Sequence, residues 1–426
     1  MRYSLLLFLG LALALWSGCG SGERPAFDDE GRKLLNVWIH SGQPAERRAM
    51  ETLIEKFHAS QNGIRIDLTV IPEGAYTAQV QSAAFSGDLP DLLEFDGPFL
   101  YAYAWQGHLQ PLDDLLPDDL RADLLPSILA QGTWNDRLYA VGTFDSGLGL
   151  YARRSALEAV DARLPEGPEE AWTVQEFEEI LAALVAAQGG GPVLDLKINY
   201  RGEWFTYAFS PLLVSAGADL IARPALDRAT GMLDSAAAIE AMETVQRWFT
   251  EGRVHPNFDD AAFLNGEVAL SWSGHWDYPR YAEAHGDDLL LLPLPDFGAG
   301  SRTGQGSWAW GITTRARHPE AAMTFLEFLL EPDNILTMTK SNGAIPARRA
   351  AIARDPGFAP DQRRHLFVRQ LETSAVPRPR TPAYPVITSV FQDAFQRLRD
   401  GGEVEAILRS AARQIDEDLA DHGGYR

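Results

Sequence analysis

A two-lobed α/β fold is what this sequence predicts, and three observations carry it: the length, a strand–helix–strand opening, and a glycine-bounded break joining two short strands. The chain has 426 residues, more than one hydrophobic core usually serves, so two lobes are expected. Apolar residues make up 46% and charged residues 23%, which supplies a large core and leaves no low-complexity tract to argue for disorder.

Arg2 is followed by an apolar run from Leu5 to Trp16 and then by Ser17 and Gly18, which reads as a signal peptide over residues 1–18. The run is about a dozen residues, too short for a bilayer core that takes roughly 20 helical residues. Cys19 is the only cysteine, so no intramolecular disulfide is available and the fold rests on packing. Residues 19–32, with Gly, Ser, Pro and several acids, read as a flexible tether, and the folded body is expected from Lys33. Acidic residues outnumber basic ones by 59 to 37, a net charge of −22, which argues against nucleic acid as a partner.

Leu34–Ile39 is a short apolar run suited to a buried first strand. The helix after it places Met50, Leu53, Ile54 and Phe57 on one face of a 3.6 period. Residues 64–71 alternate as a strand with one wetter face, completing a parallel strand–helix–strand unit. The pattern repeats with a helix over 75–86 and a strand over 92–95. His40, Ser41 and Asp96 thus fall at the carboxyl ends of strands, where open α/β sheets meet their ligands. Residues 138–141 and 148–152 read as strands around the break Gly142–Gly147, as a hinge requires. Thr173 caps a helix over 173–188, with Glu176 three residues on. A strand follows near 268–272 and another over 308–314, and long helices are expected over 319–330 and 404–419. No metal-binding or nucleophile-elbow motif is present, and Gly147, Gly149 and Ala152 run into a strand, not the helix a dinucleotide site needs.

Several stretches together resemble the extracellular solute-binding proteins of carbohydrate ABC importers, of the maltose and trehalose type. They are the lipobox-like Cys19 (with Trp16 where Leu is usual), the Val37-Trp38 strand, the helix ending Glu55-Lys56-Phe57, Pro90-Asp91-Leu92-Leu93, and Gln106 to Asp113. Tyr139 to Gly142, Phe263 to Leu270, and Arg378 to Pro385 complete the set. The resemblance implies a bilobal periplasmic-binding-protein fold of two discontinuous lobes joined by hinge strands. One lobe is expected to hold 33–142 and 272–313, the other 143–271 and 314–426, with a sugar in the cleft between them.

A sugar offers hydroxyls that need donors and acceptors, and apolar ring faces that stack on aromatics. The resemblance implies hydroxyl acceptors at Glu46, Asp96 and Asp145, stacking aromatics at Trp276 and Trp308, and a C-terminal loop reaching the cleft at Arg378 and Tyr384. Trp204 and Tyr207, beside Glu203, read as a further aromatic group. Each Trp has core packing as its plain alternative, and an Asp after a strand also serves as a helix cap. The implied function is a non-enzymatic, monomeric lipoprotein, acylated at Cys19 and held outside the cytoplasm. It takes up a carbohydrate by lobe closure and passes it to the ABC permease subunits, with no cofactor and no metal. Two alternatives stay open: a non-sugar solute such as a polyol phosphate, bound through Arg378 and Arg348, or a surface-anchored carbohydrate-active enzyme using paired carboxylates.

Overall fold

The computed structural model describes residues 25–425; the expected signal peptide and Cys19 lie outside them. The described part of the expected tether is not free. The Ala26 carbonyl accepts from the Leu34 amide at 3.0 Å, and Phe27 packs edge-on to His318 with ring centroids 5.0 Å apart. The folded body therefore starts before Lys33.

Two four-stranded sheets organise the chain. In the first, Lys33–His40 runs parallel to both Ile64–Ile71 and Leu92–Asp96, and Trp308–Ile312 closes the edge antiparallel to Leu92–Asp96. The helix Pro44–Ser60 buries Met50, Leu53, Ile54 and Phe57, the four residues its periodicity singles out. In the second sheet, Leu148–Arg153 pairs antiparallel with Leu270–Gly274 and with Leu289–Leu292, and Leu194–Asp195 lies parallel to Leu270–Gly274. Each sheet has its own apolar core.

Two segments depart from the expected division. Leu289–Leu292 belongs to the second sheet, because its four leucines pair with Leu148–Arg153. The helix Pro319–Leu329 packs in the first core with Leu35, Val37 and Phe57, so 314–426 is not one body. Its apolar face follows directly from the first-sheet strand Trp308–Ile312, and a short connection returns it to the same sheet. The expected strand over 138–141 shrinks to Arg137–Leu138 in a hairpin, with a single bridge from Val141 to Trp310.

Over the described residues the chain thus passes between the two cores three times: between the strands Leu92–Asp96 and Leu148–Arg153, between Leu289–Leu292 and Trp308–Ile312, and between the first-core Ala351 and the second-core Ala383. Short pairings brace these crossings, Phe144–Asp145 with Ile345–Pro346 and Thr303–Gln305 with Ala375–Pro377.

Candidate ligand-binding site

Most of the sequence-predicted residues converge at the carboxyl ends of the first-sheet strands and on the turns facing them. His40 and Asp96 are the last residues of their strands, and Trp308 pairs across the sheet with Asp96. The His40 and Trp308 rings stack at 3.5 Å and 2°. Tyr76 meets Trp308 edge-on and hydrogen-bonds the Glu94 backbone carbonyl. His40 Nδ1 lies 2.7 Å from Glu94 Oε2. Burial works against a charged ring there, but Glu94, helped by Glu46 and Glu73, pushes His40 up to about 9. The imidazolium form is thereby favoured at neutral pH, lying flat on an indole face.

Glu46 is engaged twice by the protein. One oxygen accepts from the Gln43 amide at 2.9 Å, closing the start of its helix, and the other from Asn342 Nδ2 at 2.9 Å. The Asn342 carbonyl lies 2.9 Å from His275 Nδ1, which carries the contact from the first core to the turn after the second-sheet strand Leu270–Gly274. There His275 meets Trp276 edge-on, and Trp276 in turn packs against Trp204 and Tyr207.

The return path runs through Arg378. Its guanidinium sits 4.8 Å from the Tyr207 ring centroid, reaches both Asp96 oxygens at 2.6 and 2.8 Å, and donates to Glu203 Oε1 at 2.9 Å. Glu203 also accepts from Thr388 Oγ1 at 2.7 Å and from the Tyr384 hydroxyl. Burial pushes the Glu203 carboxyl up to about 7 against the pull of Arg378, with Asp96 adding to the rise. These contacts, with the charge interaction between His40 and Glu46, form a closed circuit: Asp96, Trp308, His40, Glu46, Asn342, His275, Trp276, Tyr207, Arg378 and back to Asp96. It passes between the two cores twice, at Asn342–His275 and at Arg378–Asp96.

Two predicted residues stand aside from this circuit. Ser41 Oγ accepts from the Glu73 amide at 3.2 Å, fixing the start of the helix Glu73–Ser86. Asp145 is fully buried at a crossing, where it accepts from the Ser146 amide at 2.8 Å and from Gln131 at 3.3 Å. Arg348, the second cation considered for a phosphate ligand, is occupied by Asp123 at 2.7 Å and the Leu330 carbonyl at 2.9 Å. Among the described residues, no group of three or more His, Cys, Asp and Glu is arranged to hold a metal ion.

Sequence reasoning missed Glu94, Asn342, His275 and Thr388, together with a buried charge cluster beneath the aromatics. Lys197, fully buried, lies 2.7 Å from Asp260, 3.1 Å from Asp195 and 3.3 Å from Asp277. Asp277 also accepts from Ser273 at 2.6 Å and Arg280 at 2.7 Å. One ammonium thus ties together the loop leading to Trp204 and the turn carrying Trp276, and its removal leaves Arg280 to offset three carboxylates. Glu94 had a readable signal, an acid inside an otherwise apolar strand. Asn342 had none.

The curated protein described as an uncharacterized lipoprotein in the oleD 5' region of Streptomyces antibioticus is 24% identical over 96% of this chain and 91% of its own length. The maltotriose-binding protein of Pyrococcus abyssi is 21% identical over 93% of this chain and 82% of its own. Among solved structures, the GacH receptor of Streptomyces glaucescens, studied unliganded and with acarbose, superposes with a TM-score of 0.77 at 20% identity, covering 92% of this chain and 99% of its own. At that identity the likeness shows a shared fold, the bilobal α/β architecture described above. The family model for bacterial extracellular solute-binding proteins matches residues 52–362, and the chain belongs to that family.

Proposed function

We propose that this protein is the substrate-binding lipoprotein of a bacterial ABC importer, and that its two lobes close around an uncharged sugar. The observation that carries the reading is the interlobe circuit. It presents aromatic rings from both sides (Trp308 stacked on His40, Trp276 edge-on to Trp204) together with carboxylates and one guanidinium. Flat apolar faces suit pyranose rings, and carboxylates accept from hydroxyls. The two terminal nitrogens of Arg378 already face Asp96 and Glu203, so no free cation is left there for a phosphate. The ligands of the maltotriose-binding relative and of the acarbose receptor support the same class.

The carboxylates serve recognition here, and the protein carries out no chemistry on its ligand. Acylation of Cys19 fixes the chain to the outer face of a membrane, from which a monomer delivers the sugar to the permease subunits. Isothermal calorimetry of the purified protein against maltose, maltotriose and trehalose, with matched sugar phosphates and product analysis, tests the reading. Saturable heat with a neutral sugar and an unchanged sugar profile is expected; binding confined to the phosphates, or cleavage of the sugar, contradicts it.

A further inference from the structure

A small, half-open cavity lies at the crossings, lined by Gly97, Tyr101, Gln131, Gln305, Gly306 and Arg378 among others. The space open to the centre of a water-sized group is about 10 Å³, room for one oxygen-sized group. Arg378 lines both this cavity and the circuit. Its terminal nitrogens are taken by Asp96 and Glu203, but among the described residues its Nε has no hydrogen-bond partner, although the side chain is only 3% exposed. A buried guanidinium N–H left unpaired costs the full desolvation of that group.

Gly306 keeps the space in front of this donor open. Its φ is +115°, and a Cβ there would lie 3.2 Å from Gln131 Oε1, 3.2 Å from Arg378 Nη2 and 3.9 Å from Arg378 Nε. Gln131 Oε1 accepts from the Ser307 amide at 3.3 Å, which leaves its second lone pair. The cavity therefore offers one donor, Arg378 Nε–H, and one acceptor, Gln131 Oε1. A hydroxyl accepts once and donates once, and matches both. A carboxylate or phosphate oxygen only accepts, and would be repelled by Gln131 Oε1 and by the nearby Asp145.

We propose that this cavity is a subsite for a single hydroxyl of the bound sugar, held between Arg378 Nε and Gln131 Oε1. The inference rests on the sugar-binding reading and sharpens it: one hydroxyl of the ligand is read by a guanidinium whose charge is already neutralised. An ordered water would satisfy the same two atoms, so the test separates the two sources.

The tightest neutral sugar among maltose, maltotriose and trehalose is titrated with its monodeoxy analogues against the wild type and Arg378→Lys, which keeps the cation but removes Nε–H. One analogue is expected to bind the wild type about tenfold more weakly than the parent sugar, and to equal the parent on Arg378→Lys. If every analogue loses the same factor on both proteins, only a water occupies the cavity and the subsite is overturned. If none of the sugars binds the wild type, the sugar reading falls, and the subsite with it. A crystal structure of the wild-type complex guards against misfolding of the variant: a sugar hydroxyl within hydrogen-bond distance of both atoms supports the proposal, and a water in that place overturns it.

Discussion

Arg378 and Asp96, 282 residues apart in sequence, form a two-pronged ion pair that spans the two cores, with nitrogen–oxygen distances of 2.6 and 2.8 Å. Planar guanidinium and carboxylate groups meet edge to edge in this way, so the pair fixes orientation as well as charge. In Asp96→Asn, Glu203 remains as the one charged partner of a buried cation, at a cost of about 2 kcal/mol to the closed arrangement. The expected result is a larger radius of gyration without ligand and a lower urea midpoint. An unchanged scattering profile would show that the pair does not hold the lobes together.

Trp308 carries the first-lobe half of the aromatic surface, stacked on His40 and part-exposed at the strand end. Trp308→Ala is expected to weaken binding of the cognate sugar about tenfold, roughly 1.4 kcal/mol, with a much smaller effect on thermal melting. Calorimetry and a melt on the same preparation check this, and a large loss of stability at unchanged affinity would place Trp308 in the core instead.

His40 predicts a pH dependence with a definite sign. Its folded value, raised to about 9 from 6.5, means that the protonated ring stabilises the folded state fully below about pH 6.5. That contribution fades as pH rises through about 9, and amounts to about 3 kcal/mol in all. The wild type is therefore expected to lose stability between pH 6.5 and 9 relative to His40→Gln. Parallel denaturant midpoints for the two proteins across that window would contradict the charged stack.

Lys197 neutralises three carboxylates from inside the second lobe. Lys197→Met leaves Asp195 without its cation and Asp260 and Asp277 to Arg280 alone, and is expected to cost about 3–5 kcal/mol of stability, read as a fall in the urea midpoint. Adding Asp277→Asn to that variant should recover part of the loss, because it lowers the excess negative charge that Arg280 alone must offset. A double variant no more stable than the single one would show that Lys197 acts through packing alone.

Local pattern was enough for the elements whose partners are near in sequence. The alternation of Ile64–Ile71 and the apolar face of Pro44–Ser60 predict those elements, and both form. It failed where membership of a lobe depends on distant pairing. The run Leu289–Leu292 is equally apolar against either sheet, and only its register with Leu150 to Arg153 decides. The amphipathic face of Pro319–Leu329 likewise fits either core. At the site, residue types at strand ends pointed to His40 and Asp96, and the family resemblance to Trp276, Trp308 and Arg378. The partners of those residues were not legible, because Glu94, Asn342 and Thr388 reach them through tertiary contacts that no spacing encodes.

Closure of the two lobes on a neutral sugar is read by small-angle scattering recorded during a calorimetric titration with maltose, maltotriose and trehalose. Heat release with a smaller or unchanged radius of gyration for the wild type, and a marked contraction on sugar addition for the loosened Asp96→Asn protein, is the predicted result. No heat with any of the three sugars, and the same radius of gyration for both proteins with and without them, would contradict it.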